Sequence, residues 1–255
     1  MRFASLGSGS RGNATLVQAG ATTLLIDCGF SLTQTRRRLG RLGLELSDLT
    51  AILLTHEHGD HVGGVGPVAR AGRLPVWATP GTLAALAPQV GELPVVHRID
   101  CHAPWAIGDL HITPFPVPHD GRETCQFLFS DGVHRFAAVT DLGRTTAHMK
   151  AVLDGCDALL FECNHDRELL LGGPYPPALK RRVDGALGHL SNHAAADFIS
   201  RLDGQRLQHF VAAHLSEHNN RPELARAAMA DALGCSADWI GIADQARGLD
   251  WRALV

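Results

Sequence analysis

The segment Thr55-His56-Glu57-His58-Gly59-Asp60-His61 constrains this chain more than any other. The apolar run Ala-Ile-Leu-Leu ahead of it reads as a buried strand, and that strand empties into a loop dense in imidazole and carboxylate groups. Such a cluster is not an ordinary solvated face, because imidazole and carboxylate together suit Zn²⁺ and similar borderline metals. A loop in which His56 and His58 point one way while Asp60 and His61 point another would serve two adjacent ions. Gly59 and Gly63-Gly64 let the backbone bend around such a site.

The rest of the chain supplies a scaffold for that loop. Strand signals recur between glycines in RFASLG, ATLVQAG and TTLLIDCG. Residues 31–43 have helical spacing, with Ser31 as N-cap and Leu32, Thr35, Leu39 and Leu42 as the buried stripe. Helix and strand then alternate to about residue 99, and a β-rich stretch covers roughly 105–140, with a hairpin turn at SDGVH. The second half alternates again: helix TTAHMKAVLDG, strand DALLFEC, a helix-and-loop insertion, helix SNHAAADFISRL capped by Ser191, strand QHFVAAHL and helix RPELARAAMADALG. ADWIGIADQ and GLDWRALV read as closing strands. With no linker or short repeat, this order predicts two sheets covered by helices, an α/β (or α+β) architecture in one domain over residues 1–255.

Composition narrows the partners. Lys+Arg 23 against Asp+Glu 26 gives −3, so no global basic field recruits nucleic acid or anionic lipid, and a phosphate-bearing partner must be held locally. Hydrophobic residues at 45% and charged residues at 19% exclude a disordered chain. No apolar run approaches the ~20 residues of a membrane span, and MRFASLGSGSRGN lacks the apolar core of a signal peptide. Six scattered cysteines without a CxxC pair read as reduced thiols, which points to the cytoplasm. Gly7-Ser8-Gly9-Ser10-Arg11-Gly12 matches GxGxxG by letter, but a strand rather than a helix follows, so it reads as a tight connection and not a dinucleotide site.

One loop cannot complete two coordination spheres. Four further positions place a single His or Asp just past a strand: His119 in VPHDG, Asp141 in AVTDLG, His189 in LGHLSN and His214 in VAAHLS. THEHGDH followed in order by His119, Asp141 and His214 resembles the metallo-β-lactamase superfamily. SLGSGSRGN, LLIDCG, ECNHD, YPPALKRRV, GHLSN and AHLSEHNN resemble its YycJ/WalJ-type branch, which is similar to tRNase Z and PhnP-type phosphodiesterases. The resemblance implies an αββα sandwich, two mixed sheets flanked by helices, with a dinuclear site between the sheets.

It further implies that His56, His58 and His119 hold one divalent ion and Asp60, His61 and His214 the other, with Asp141 bridging. The ions would be Zn²⁺, with Mn²⁺ or Fe²⁺ as alternatives. Asp60 would also orient the attacking hydroxide. His189 takes the place of a loop histidine near the scissile phosphate and is the candidate proton donor. Glu162 and Asn164 would support the ligands from behind, and His165 would line the site. Lys180-Arg181-Arg182 is the candidate phosphate clamp, whereas Arg36-Arg37-Arg38 reads as a solvated helix face. The implied activity is phosphodiester hydrolysis, plausibly exonucleolytic on DNA, with nucleic acid as substrate and no membrane partner. The alternatives are hydrolysis of a lactone, thioester or other small ester on the same fold, and non-haem iron oxidoreduction. Against the last, His58 stands where diiron members carry Glu.

Overall fold

Gly-punctuated apolar segments become strands in two seven-stranded mixed sheets. A computed structural model describes all residues, 1–255. Sheet 1 contains β1 (Arg2–Gly7), β2 (Ala14–Ala19), β3 (Thr22–Ile26), β4 (Ala51–Leu53), β5 (Pro75–Ala78), β6 (Val95–Arg98) and β14 (Leu249–Ala253), in the order β14-β1-β2-β3-β4-β5-β6. Sheet 2 contains β7 (Trp105–Ile107), β8 (Leu110–Pro116), β9 (Cys125–Ser130), β10 (Arg135–Val139), β11 (Ala158–Glu162), β12 (His209–Ala213) and β13 (Gly241–Ile242), in the order β13-β12-β11-β10-β9-β8-β7. The sheets share a plan. The β14-β1-β2-β3 and β7-β8-β9-β10 halves are antiparallel, while β3 to β6 and β10 to β13 run parallel.

Side chains alternate across each strand, so a strand buried on both faces feeds two cores at once. In β3, Leu24 and Ile26 enter the cluster between the sheets, with Phe3, Phe127, Phe129, Phe136 and Leu160, while Leu25 turns to the helices. Helices Leu32–Arg41, Val65–Gly72 and Pro80–Val90 close that outer face of sheet 1. Ala147–Leu153, Asn192–Ile199 and Pro222–Leu233 close the outer face of sheet 2 around Phe161, Phe198 and Met229. Three apolar clusters therefore separate four layers, helix, sheet, sheet, helix. The predicted caps form: Ser31 accepts from Gln34 N–H and Ser191 from Ala194 N–H. No helix is long and apolar enough to cross a membrane.

Two sequence expectations change. ADWIGIADQ is not one strand: Ala237–Trp239 winds into a 3₁₀ turn, leaving the two-residue β13. The loop after β4 is also not irregular throughout, because Gly59–Val62 forms a single helical turn behind His58. The GxGxxG segment leads into β2 and not into a helix, as the sequence predicts. Gly29 lets the β3 loop press on the helical turn: a Cβ there would lie 1.8 Å from the Asp60 carbonyl oxygen. Asn13 N–H donates to that same oxygen at 2.8 Å, and Cys28 N–H to the His61 carbonyl at 2.7 Å. The loop is thus clamped by backbone contacts before any ligand is considered.

Candidate metal centre

Both sheets direct the carboxyl ends of their parallel strands to one edge of the sandwich, where strand ends leave a crevice. Asp27 follows β3, the His-rich loop follows β4, Asp141 follows β10, Glu162 ends β11 and His214 follows β12. Asp27, Asp141 and His214 have φ of 58°, 58° and 53°. Left-handed backbone is unfavourable for residues with a Cβ and is found where surrounding contacts enforce it, commonly at functional sites. Here it turns each side chain out of its strand path and back over the crevice.

The side chains gather into adjoining sets. His56, His58 and His119 present nitrogens within 4.8 Å of one another, and a carboxylate oxygen of Asp60 lies equally close to nitrogens of His61 and His214. Asp141 groups with His56 and His61, between the two sets. The first set is defined by what lies behind its rings. The Gly188 carbonyl, 3.0 Å from His119 Nδ1, can only accept, so Nδ1 carries the proton and Nε2 is bare. Thr55 Oγ1 donates to Asp27 Oδ2 at 2.8 Å and accepts from His56 Nδ1 at 2.9 Å, so His56 Nε2 is bare as well. His58 Nε2 and His119 Nε2 both lie 3.4 Å from Asp120 Oδ1. His58 Nδ1 lies 3.0 Å from His56 Nε2 and 3.2 Å from His119 Nε2. Two bare nitrogens converging with a third at this spacing call for a shared cation, either a proton on His58 Nδ1 or a metal ion. Burial, then the charge of His61, lowers the His56 pKa well below its ordinary value, and a neutral imidazole is what a metal needs.

The second set is richer in negative charge. His61 Nδ1 donates to Asp27 Oδ2 at 2.7 Å, and its Nε2 stands 2.8 Å from Asp141 Oδ2. Asp141 Oδ2 is buried and receives no hydrogen bond. Burial lowers the His61 pKa, but Asp141, Asp27 and Asp60 outweigh it and hold the ring well above its ordinary value. The same contest, against Asp141, Asp60 and Glu162, pushes His214 up to about 10. Burial raises Asp60 and Asp141, and His61 and His214 outweigh it, so both stay anionic. The field there calls for a cation, either a proton on the facing nitrogens or a metal ion. Both donor sets therefore fit divalent metal.

Glu162, buried at the end of β11, is saturated. Its Oε1 accepts from His189 Nδ1 at 2.8 Å and His214 Nδ1 at 3.1 Å, and its Oε2 from the N–H groups of Leu142 at 2.9 Å and Leu190 at 3.2 Å. Burial would raise its pKa, but His189 and these hydrogen bonds hold it down at about 2. It orients two rings and has no lone pair aimed at the crevice. His189, tethered through Nδ1, keeps Nε2 for whatever enters. Burial opposes its protonation, but Glu162 and Asp141 raise its pKa. Asn164 Nδ2 donates to the His214 carbonyl at 2.9 Å and lies 3.3 Å from its Nδ1.

Beside His189 opens a polar cavity of about 190 Å³, walled in part by Ser10, Asp120, Tyr175, Arg182 and Asn219. The proposed clamp does not assemble there. Successive helical residues point ~100° apart, so the helix Pro177–Val183 fans the triplet outward. Arg182 reaches the cavity, paired with Asp120 at 2.9 Å, while Lys180 bonds the Leu171 carbonyl at 2.6 Å and Arg181 is exposed. His165, expected to line the site, is fully buried behind it; neither ring nitrogen has a hydrogen bond, and Nε2 lies 3.5 Å from Asp184 Oδ1. Sequence reasoning missed Asp27 and Asn13. Asn13 Nδ2 lies 3.2 Å from Asp60 Oδ2 and 3.1 Å from His61 Nε2. Their signal was position: Asn13 directly after Gly12 and ahead of β2, Asp27 directly after β3.

Comparison with known proteins agrees with this geometry. Residues 22–214 match the family model described as "Beta-lactamase superfamily domain". The chain is 35% identical over 235 residues to exodeoxyribonuclease YycJ of Bacillus anthracis, covering 91% of this chain and 89% of the relative. It is 33% identical over 245 residues to exodeoxyribonuclease WalJ of Streptococcus pneumoniae, covering 94% of this chain and 91% of the relative. Among solved structures, the metallo-β-lactamase fold protein YhfI from Bacillus subtilis superposes with a TM-score of 0.75 at 18% identity, over 99% of each chain. By fold, by the residues gathered at its crevice and by these relatives, the chain belongs to the metallo-β-lactamase superfamily, in its YycJ/WalJ branch.

Proposed function

We propose that this chain is a metal-dependent phosphodiesterase acting on nucleic acid, with DNA exonucleolysis as its leading activity. The observation that carries the reading is the pair of adjoining donor sets with buried Asp141 between them. In this assignment His56, His58 and His119 would hold one ion, Asp60, His61 and His214 the other, and Asp141 would be shared between them. The His-rich donors favour Zn²⁺, with Mn²⁺ or Fe²⁺ as alternatives. Two divalent ions would carry more charge than Asp60 and Asp141, the carboxylates that face them, while Asp27 and Glu162 are engaged behind the rings, and cations facing the crevice favour an anionic substrate. Bound ions would supply Lewis-acid clamping of the phosphodiester and an activated water at neutral pH. Asp60, aligned by Asn13 and His214, accepts a hydrogen bond from the attacking water and fixes its direction. His189, with Nδ1 held by Glu162, presents Nε2 to the leaving oxygen and donates its proton there. Arg182 and Tyr175 meet the substrate from the cavity wall.

The names of the YycJ and WalJ relatives support the substrate class. Because both sheets supply ligands to one centre, residues 1–255 act as one catalytic domain. Six free cysteines fit a reducing, cytoplasmic setting. Elemental analysis of the purified protein, followed by hydrolysis of bis(p-nitrophenyl) phosphate against thioester and lactone substrates, tests the reading. Two ions per chain and a preference for the phosphodiester are expected. A preference for either ester, or a single ion in a fully active enzyme, overturns it.

A further inference from the structure

Away from the crevice, the sequence offers Arg36-Arg37-Arg38 as a solvated helix face, and the fold gives two of those residues company. Arg37, Arg38 and Arg41, from the helix Leu32–Arg41, meet Arg247 and Trp251 from the C-terminal segment around a groove of about 830 Å³. The only carboxylate in its wall is Asp250, which is taken by Arg41 at 2.6 Å. Arg38 is anchored to the carbonyls of Leu6 at 2.6 Å and Ala246 at 2.9 Å, with its guanidinium 4.0 Å over the Phe30 ring. Neither Arg37 nor Arg247 has an ion-pair partner, and both are exposed. Burial and then the charges of Arg37 and Arg41 depress the Arg38 pKa, so the like charges are near enough to repel. In a chain of net charge −3, this crowding is local.

The rim of the groove is joined to the rim of the cavity beside His189. Ser10 belongs to the polar cavity beside His189. The next residue, Arg11, donates its N–H to Gln245 Oε1 at 2.8 Å, and Gln245 Nε2 donates to the Gly12 carbonyl at 2.9 Å. Ala246 and Arg247, directly after Gln245, form the groove wall. The cavity rim and the groove rim are thus two stretches of chain stapled together. The Arg11 charge is already paired with Glu217, which leaves Arg37 and Arg247 as the free cations along this path.

Resting on the phosphodiesterase reading above, we propose that this groove carries the phosphodiester backbone of a nucleic-acid strand whose scissile end lies at the metal centre. Crowded, partly unpaired guanidinium groups gain most from a polyanion, because each phosphate neutralised relieves their repulsion and releases condensed counterions. A small diester fills the crevice without touching the groove, so the groove acts only on substrates long enough to cross the Ser10–Gly12 loop.

The test uses the whole metal-loaded protein and Arg37→Gln/Arg247→Gln, two side chains with no partner in the fold. Binding of a labelled single strand is read by fluorescence anisotropy across a salt series, beside KM and kcat for bis(p-nitrophenyl) phosphate. Losing two phosphate contacts should flatten the slope of log K against log salt by about 1.4, at ~0.7 per contact on a single strand. Both constants for the small diester should stay unchanged, and Arg37→Lys/Arg247→Lys should keep most of the slope. An unchanged slope, or an equal loss on the small diester, overturns the groove assignment. If the parent protein hydrolyses no phosphodiester, the functional reading fails instead, and the anisotropy series still decides whether the groove holds a strand.

Discussion

Sheet 1 delivers four candidate ligands from one short loop, whereas sheet 2 delivers His119, Asp141 and His214 from three separate strand ends. The loop is rigid because its neighbours clamp its backbone, through Asn13, Cys28 and the close approach of Gly29. The strand ends are rigid for a different reason. Asp141 and His214 sit in left-handed backbone, and Glu162 ties His214 to His189 and to the Leu142 and Leu190 amides. One half of the site is held by main chain, the other by a buried carboxylate. Mutations should therefore damage the two halves in different ways.

The largest effect is expected at the junction. Asp141→Ala removes the carboxylate that faces both donor sets, so metal content should fall and kcat should drop by more than the ~10–100-fold that losing an outer partner costs. Elemental analysis with diester kinetics checks this. A fully active variant with unchanged metal would dissolve the shared-centre picture and leave two unrelated clusters.

His189→Ala comes next. General acid catalysis contributes ~10²–10⁴-fold, so kcat should fall by that order with metal content intact. The loss should shrink for p-nitrophenolate, a leaving group that needs little protonation. Equal losses on good and poor leaving groups, or loss of metal, would make His189 a binding residue or ligand.

The two buried carboxylates behind the rings set up a direct contest between the sheets. Glu162→Gln loosens two histidines, while Asp27→Asn loosens His61 and Thr55 inside a loop that its backbone still holds. Both should fall in the ~10–100-fold range for outer partners, with Glu162→Gln at the upper end. The reverse order, measured as kcat/KM and metal affinity, would mean the sheet 1 loop depends on its side chains after all.

This asymmetry also explains what the sequence makes legible. THEHGDH is readable because its ligands are neighbours in sequence, and the two-sheet architecture because apolar runs and glycines alternate with little ambiguity. Asp141 and His214 are readable once single polar residues past strands are sought. Asp27 meets the same rule, directly after β3, but its role, like that of Asn13, is set by contact with a loop from elsewhere in the chain. Lys180-Arg181-Arg182 misleads for a related reason: adjacency in sequence becomes dispersion around a helix. Arg37 and Arg247 show the converse, two distant residues that only the fold brings to one groove.

Asn13 offers the smallest expected effect and the finest test of how the loop is aligned. Its Nδ2 reaches Asp60 Oδ2, His61 Nε2 and, at 3.1 Å, the Gly9 carbonyl, while its Oδ1 accepts from Gly9 N–H at 2.8 Å. The side chain thus joins the first connection of sheet 1 to Asp60, the carboxylate proposed to direct water. Its backbone bond to the Asp60 carbonyl survives truncation, so the loop should keep its place and its metal. Of the side-chain bonds lost in Asn13→Ala, the one to the charged Asp60 oxygen is worth about 1.5 kcal/mol, or roughly a tenfold fall in kcat. Asn13→Asp should do worse, since it sets a second carboxylate against Asp60 where an amide had donated. An Asn13→Ala variant with full kcat would show that the main-chain clamp alone aligns Asp60. One that loses metal as Asp141→Ala does would show that sheet 1, like sheet 2, is held by a side chain.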